Sequence, residues 1–216
     1  MHLEATVENK VVLRTLSEAE VQNEYVLLRF AVLHGELGWT SSKLVRAEGL
    51  LDVYDSHCLS CGVFHRGDLV GAFRVVVGES VESLPSGKTI KRFGITSGNC
   101  AELSRGMVRE DYRRCGVFTT LIAASVYLAS TAKIDRVFAT VLDSRLGREL
   151  FRKYGFQPVG EPFHHSDGTI SISKPTILLS ADLHNETFNE RESLGHINSL
   201  LESAAIRIGS RDKTAD

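Results

Sequence analysis

Between residues 101 and 155 the chain spells one succession that leaves few folds open. Ala101 to Val108 has the make-up of a buried strand, Arg113-Arg-Cys-Gly116 opens a helix from Val117 to Ala132, and Arg136 to Leu142 is a second buried strand. Ser144 to Tyr154 is a further helix, closed by Gly155. This is a β-α-β-α core, and it sets the fold class as α/β. At the first turn of its central helix, glycine lets backbone N–H groups approach an anion, and the helix adds the positive end of its dipole. Ordinary helix capping accounts for the same residues equally well.

The flanks add elements to this core. Ser17 and Glu20 form a capping-box spelling, and Val21, Tyr25, Leu28 and Val32 follow at helical spacing, which predicts an amphipathic helix to Glu36 with Gly38 beyond its end. Cys58 to Phe64 and Leu69 to Val77 read as a hairpin around a turn at His65 to Asp68. The Arg-Gly-Asp at 66–68 serves that turn's geometry rather than adhesion. Residues 78 to 100, with Pro85 and scattered glycines, predict a long excursion over the surface. Phe156 to Val159 and Thr169 to Ser180 are further strands, the second placed at an edge or bulge by Pro175. We expect a principal domain over residues 1–182, with an N-terminal lobe near 11–60 and a core near 70–162. A C-terminal helix through Leu194, Ile197, Leu200, Leu201 and Ala204 would follow, ending in a disordered tail from Ser210.

Composition excludes several classes. With 216 residues, 43% of them apolar, and a net charge of −2, the chain can bury a core without disulfides or metal. A pI near 6.5 gives no general drive toward nucleic acid. No apolar run reaches membrane-span length, and the first ten residues lack the basic and apolar regions of a secretory signal, so a cytoplasmic protein is expected. Cys58, Cys61, Cys100 and Cys115 read as free thiols of a reducing compartment. His57, Cys58, Cys61 and His65 can be written as a metal quartet, but residues 58 and 61 fall on opposite faces of a strand, so no metal site is expected.

Strand, Arg-x-x-Gly loop, helix, strand, and a helix running into Tyr154-Gly155-Phe156 resemble the acyl-CoA-binding core of the GNAT acyltransferases over roughly residues 70 to 160. Phe118 departs from that pattern, standing where those proteins carry Gly or Ala, and Phe151 takes the place of their leaving-thiol tyrosine. The upstream half resembles a specialised branch, the acyl-homoserine-lactone synthases, and its relatives the long-chain N-acyl amino acid synthases. The matching residues are Arg29 with Trp39 ten positions on, Asp52-Val-Tyr54-Asp55, Arg74, Glu102-Leu-Ser104-Arg105, and Gly155-Phe156 with Gly160-Glu-Pro162. Leu33 and Leu50 depart from the branch's preferences for Phe and for an acidic residue.

The resemblance implies a three-layer α/β/α fold whose mostly antiparallel, mixed sheet splays into a V, and an N-acyltransferase moving an acyl group from a thioester to an amine. Its most specific form uses S-adenosylmethionine and releases a lactone that lets bacteria sense density. An N-acyl amino acid synthase, an ordinary N-acetyltransferase, and a non-catalytic module binding acyl carrier protein or an acyl ligand remain open. Glu102 is the expected general base, and backbone N–H groups near Met107 and Val108 are the expected oxyanion donors. Arg29, Arg74 and Arg105, alternating with Asp52, Asp55 and Glu102, would order the N-terminal lobe and hold a carboxylate-bearing acceptor; plain structural ion pairs are the alternative for some of them. Ser104 belongs to the same group, Trp39 is either a core residue or a lid over the acyl chain, and Thr140 is a candidate wall residue. Arg113, Arg114, Gly116, Val117 and Phe118 would cradle the donor's phosphate.

No tightly bound cofactor is expected, only an acyl-phosphopantetheine donor on acyl carrier protein or coenzyme A. Arg105 to Lys153 holds ten Lys and Arg against five Asp and Glu, suited to an acidic carrier protein, although a solvated helix face accounts for the same excess. Phe118 beside the phosphate loop favours the carrier protein as well. Expected partners are thus acyl carrier protein and a small amine acceptor, S-adenosylmethionine or an amino acid, with the protein a monomer or dimer.

Overall fold

A computed structural model describes residues 3–7, 10–41, 46–96, 98–166, 169–183 and 190–212. Eight strands, β1 (Glu4–Val7), β2 (Val11–Thr15), β3 (Cys58–His65), β4 (Asp68–Gly78), β5 (Cys100–Val108), β6 (Arg136–Leu142), β7 (Gln157–Phe163) and β8 (Thr176–Asp182), form one sheet. Their spatial order is β1-β2-β3-β4-β5-β6-β8-β7. Neighbours run antiparallel except β5 and β6, which pair in parallel across the central helix Val117–Thr131. That pairing covers only Cys100–Leu103 against Arg136–Ala139. Past Leu103 the two strands part, and the sheet opens into a V.

Helices cover both faces, giving the three layers. On one side the central helix and the C-terminal helix Glu190–Asp212 pack on Leu13, Val63, Val75, Leu103 and Val137 in the main core. On the other lies a helical stretch from Glu18 to Glu36, which alternates α turns (Glu18–Glu20, Val26–Arg29) with π turns (Val21–Tyr25, Phe30–Glu36). Its capping box is formed, with Ser17 and Glu20 each accepting from the other's backbone N–H. Val21, Tyr25, Leu28 and Val32 are buried, as their spacing predicted.

Several elements differ from the sequence reading. β1 and β2 were not foreseen; strands of four and five residues are too short for alternation to stand out. The segment after β4 is no surface excursion, since it folds into a 3-10 turn (Val81–Ser83) and a helix (Gly87–Arg92). Its Val81, Leu84 and Ile90 are buried against Val76, Phe138 and Leu178. β8 is internal and β7 forms the edge. Pro175, which has no N–H to give a ladder, lies just before β8 and contributes its carbonyl to the Asp143 N–H. The C-terminal helix runs through Ser210 to Asp212, where a tail was expected, and residues 213–216 lie outside the described residues. No described helix is long and apolar enough to cross a membrane. Cys58 and Cys61 do fall on opposite faces: Cys61 joins the main core while Cys58 packs with Tyr54 and Val76.

Candidate active site

The site begins with a defect in β5. Ala72 of β4 pairs with Met107 and Arg74 with Ser104, so the single residue Phe73 faces two, Arg105 and Gly106. This is a β-bulge, and Arg105 enters it with φ 54°, a left-handed conformation costly for a residue with a side chain. The Tyr25 hydroxyl secures the bend by donating to the Arg105 carbonyl at 2.7 Å. Gly106 is required there, because a Cβ would run into the Phe73 ring. The distortion therefore sits two residues before the expected Met107 and Val108, both of which have regained partners on β4. Its consequence reaches them all the same. The Arg109 N–H donates to the Val70 carbonyl, so by strand alternation the Val108 N–H turns to the opposite edge, where β6 has departed.

Beneath the N-terminal helix lies a buried ion-pair network. Arg29, fully buried, donates both Nη atoms to Asp55 at 2.8 and 2.6 Å while its guanidinium lies 4.1 Å over the Tyr25 ring. Arg74, also fully buried, reaches Asp52 at 2.6 Å, Asp55 at 2.9 Å and the Ser104 hydroxyl at 3.0 Å. Arg105 donates to Asp52 at 3.2 Å. Burial alone would push the Asp55 carboxyl up, but the hydrogen bonds and charges of Arg29 and the charge of Arg74 hold it at about 2. Nη2 of Arg74 and Nε of Arg29 have no hydrogen-bond partner among the described residues.

Above the network is a cavity of about 120 Å³ lined by Arg74, Glu102, Ser104, Arg105, Met107 and Thr140, with Trp39 and His165 also in its wall. Glu102 is 2% exposed, and its carboxylate accepts the Ser86 N–H and the Ser86 hydroxyl, each at 2.7 Å. Burial pushes its pKa up, with the Ser86 hydrogen bonds and the charges of Arg74 and His165 opposing.

A second cavity, of about 560 Å³, runs from this one to the central helix past Val108, Arg113, Arg114, Gly116, Phe118 and Leu146. The two share Leu33, Trp39, Gly106 and Met107. Gly116, at φ 95°, is the helix N-cap and has no side chain to cap the first-turn amides. Arg113 ties the loop back, donating Nε to the Val108 carbonyl at 3.1 Å and pairing with Glu36. The Phe118 ring lies 5.5 Å from that of Phe73 and forms part of the wall.

The structure thus gathers Trp39, Arg74, Glu102, Ser104, Arg105, Met107 and Thr140 around one cavity, and Val108, Arg113, Arg114, Gly116 and Phe118 around its neighbour. Arg29, Asp52 and Asp55 are not in either wall: mutual pairing draws them beneath it, where they brace Arg74 and Arg105. The Val117 side chain is 1% exposed and points into the main core, so only its backbone faces the loop's chemistry. Phe151 is also away from the cavities, packed edge-on to Phe156. Among the described residues, at least six of the ten cations between Arg105 and Lys153 sit in ion pairs, three of them with Asp52, Glu36 and Asp182 from outside that stretch. The positive excess read from sequence is therefore much smaller on the folded surface. Ser86 was missed by sequence reasoning, and its only signal was a serine between Pro85 and Gly87 ahead of a short helix.

Residues 28–123 match the family described as the acetyltransferase (GNAT) domain. A search of curated proteins finds no match to the sequence. Among solved structures, BjaI, a CoA-dependent acyl-homoserine lactone synthase solved with MTA, superposes with a TM-score of 0.62. Its identity is 19%, over 97% of this chain and 99% of its own. FeeM, an N-acyl amino acid synthase from uncultured soil microbes, gives a TM-score of 0.59 at 16% identity, over 82% of this chain and 92% of its own. Escherichia coli ElaA gives 0.57 at 17%, over 80% and 99%. At such identities the likeness is one of fold. Residues 28–123 thus match an acetyltransferase (GNAT) domain, and the chain carries the fold of the GNAT acyltransferases.

Proposed function

We propose that the protein transfers an acyl group from a phosphopantetheine thioester to the amine of an amino-acid-derived acceptor. The observation that carries this reading is the meeting of two cavities across Leu33, Trp39, Gly106 and Met107. One holds a buried carboxylate and the unpartnered Nη2 of Arg74. The other leads to the uncapped helix start at Gly116. The donor's pantetheine arm would lie in the larger cavity, its phosphate on the 113–118 loop and its carbonyl beside the main-chain edge at Val108. The acceptor's carboxylate would take the free Arg74 position, supported by Arg105 and Ser104. Glu102 would take the amine proton, directly or through a water, as nitrogen attacks the carbonyl. The oxyanion would accept from the Val108 N–H, and the thiolate would leave without help from Phe151, which has no proton to give.

S-adenosylmethionine with lactone release is the most specific form of the reaction, and BjaI, named as a CoA-dependent acyl-homoserine lactone synthase, supports it by likeness of fold. One observation favours a second reading. At about 120 Å³ the acceptor cavity is much smaller than its neighbour of about 560 Å³, which suits a small amino acid acylated without ring closure, the product class in FeeM's name. With so much of the 105–153 charge already paired, coenzyme A is as suitable a donor as a carrier protein.

Purified protein incubated with acyl carrier protein thioesters or coenzyme A thioesters, S-adenosylmethionine and free amino acids, followed by mass spectrometry, tests this. An acylated lactone with methylthioadenosine establishes the first form, and an acylated open amino acid establishes the second. No acylated product from either donor overturns the proposal and leaves the non-catalytic binding module.

A further inference from the structure

Ser86 occupies the position before helix Gly87–Arg92, where a serine hydroxyl ordinarily accepts a hydrogen bond from a first-turn amide. It makes no such bond. Both of its donors turn instead to Glu102, the N–H to Oε2 and the hydroxyl to Oε1, each at 2.7 Å, and its Oγ also lies 3.1 Å from Oγ1 of Thr140 on β6. Ser86 is 3% exposed. Its backbone is fixed by close packing on both sides. Any side chain at Gly87 would press on the Val81 carbonyl, the Gly87 N–H bonds to the Leu84 carbonyl at 3.0 Å, and Val81, Leu84 and Ile90 are buried.

The hydroxyls of Ser86 and Thr140 have two consistent settings. With Glu102 ionised, Ser86 donates to Oε1 and Thr140 donates to Ser86 Oγ. Once a proton taken from an amine rests on Oε1, the carboxyl donates to Ser86 Oγ and Ser86 donates to Thr140 Oγ1. Neither setting strands a buried polar atom of this chain. Thr140 lines the cavity, so the chain of hydroxyls ends where an acceptor would sit. The other titratable or charged groups coupled to Glu102 are Arg74 from β4, His165 from the segment after β7 and, on β5 itself, Cys100.

We propose that Ser86 is the positioning residue for Glu102, aiming its carboxylate into the acceptor cavity and, with Thr140, satisfying it in both protonation states. The consequence for rate rests on the acyl-transfer reading; the Ser86–Glu102 link does not. Two measurements separate them. The first is the pH profile of kcat/KM for wild type, Ser86→Ala, Ser86→Thr and Thr140→Val. The second is a direct titration of Glu102 by NMR with ¹³C-carboxyl-labelled glutamate, its signal identified by its loss in Glu102→Gln. Removing the Ser86 hydroxyl takes one donor from the ionised form, so the midpoint of both curves should move up by about one pH unit in Ser86→Ala. It should return in Ser86→Thr and move up by less in Thr140→Val. A midpoint in Ser86→Ala that coincides with wild type, in a folded protein, overturns the inference. Should Ser86→Ala not fold, an unmoved Glu102 titration in Thr140→Val overturns it equally. If wild type acylates nothing, the functional reading falls while the NMR titration still decides the role of Ser86.

Discussion

Two buried carboxyls that both feel the charge of Arg74 are driven in opposite directions by their surroundings. Asp55, clasped by Arg29 and Arg74, is held at about 2, whereas burial pushes Glu102 up. The signs then differ. Asp55 contributes stability that is complete above its ordinary value near 3.8 and is lost as pH falls toward 2. Glu102, with its raised pKa, favours the fold below its ordinary value near 4.5 and withdraws that support as pH rises through the raised one. Asp55→Asn leaves buried guanidinium charge uncompensated and should cost about 3–5 kcal/mol in urea unfolding at pH 7. That deficit should shrink as the titration is repeated from pH 4 down to 2. Glu102→Gln should lower turnover by about 10²- to 10⁴-fold while donor binding, read by calorimetry, is unchanged. In the wild type, kcat/KM should fall with decreasing pH about a midpoint above the usual carboxylate range. Glu102 was legible in sequence because Glu-x-Ser-Arg is a local pattern. Ser86 was not: it meets Glu102 only after the 79–99 segment folds inward, and no spacing along the chain encodes that.

The bulge in β5 shows what an element does that its residues cannot do singly. Arg105 and Gly106 together face the single residue Phe73, whose ring fills the space above Gly106. Gly106→Ala should drive a methyl into that ring and cost about 1–3 kcal/mol by urea denaturation, with acyl transfer lost as the strand shifts. Adding Phe73→Leu should restore part of both, and a double-mutant cycle measures the coupling. If Gly106→Ala alone is as stable and active as wild type, the bulge does not hold the site in register. The presence of β3 to β6 and the central helix was readable from apolar runs and glycine stops. The bulge's position was misjudged by two residues, because alternation places a strand without saying where its partner has one residue fewer. Arg29, Asp52 and Asp55 were found by the same local patterns that found Arg74, yet sequence alone does not separate residues that line a cavity from those that brace its lining.

At the scale of the molecule, the C-terminal helix is part of the core rather than an appendage to it. Ile197, Leu201, Ala205 and Ile208 are packed with the central helix and β2 in the same apolar cluster. Leu201→Ala should cost about 2–5 kcal/mol, seen as a lower urea midpoint with a single cooperative transition. A separate early transition would mean that the helix folds on its own account. Its periodicity was legible, but its destination was not, because an amphipathic stripe does not name the surface it will cover.

The opening between β5 and β6 is built from main chain, made by a neighbour's departure instead of by any side chain's arrival. Such a feature has no letter in the genetic alphabet. Residue 108 can be rewritten among most small apolar types and still present the same N–H to the gap, so the part of the site closest to the proposed oxyanion is also the part least marked in the text of the gene. Only proline erases that hydrogen.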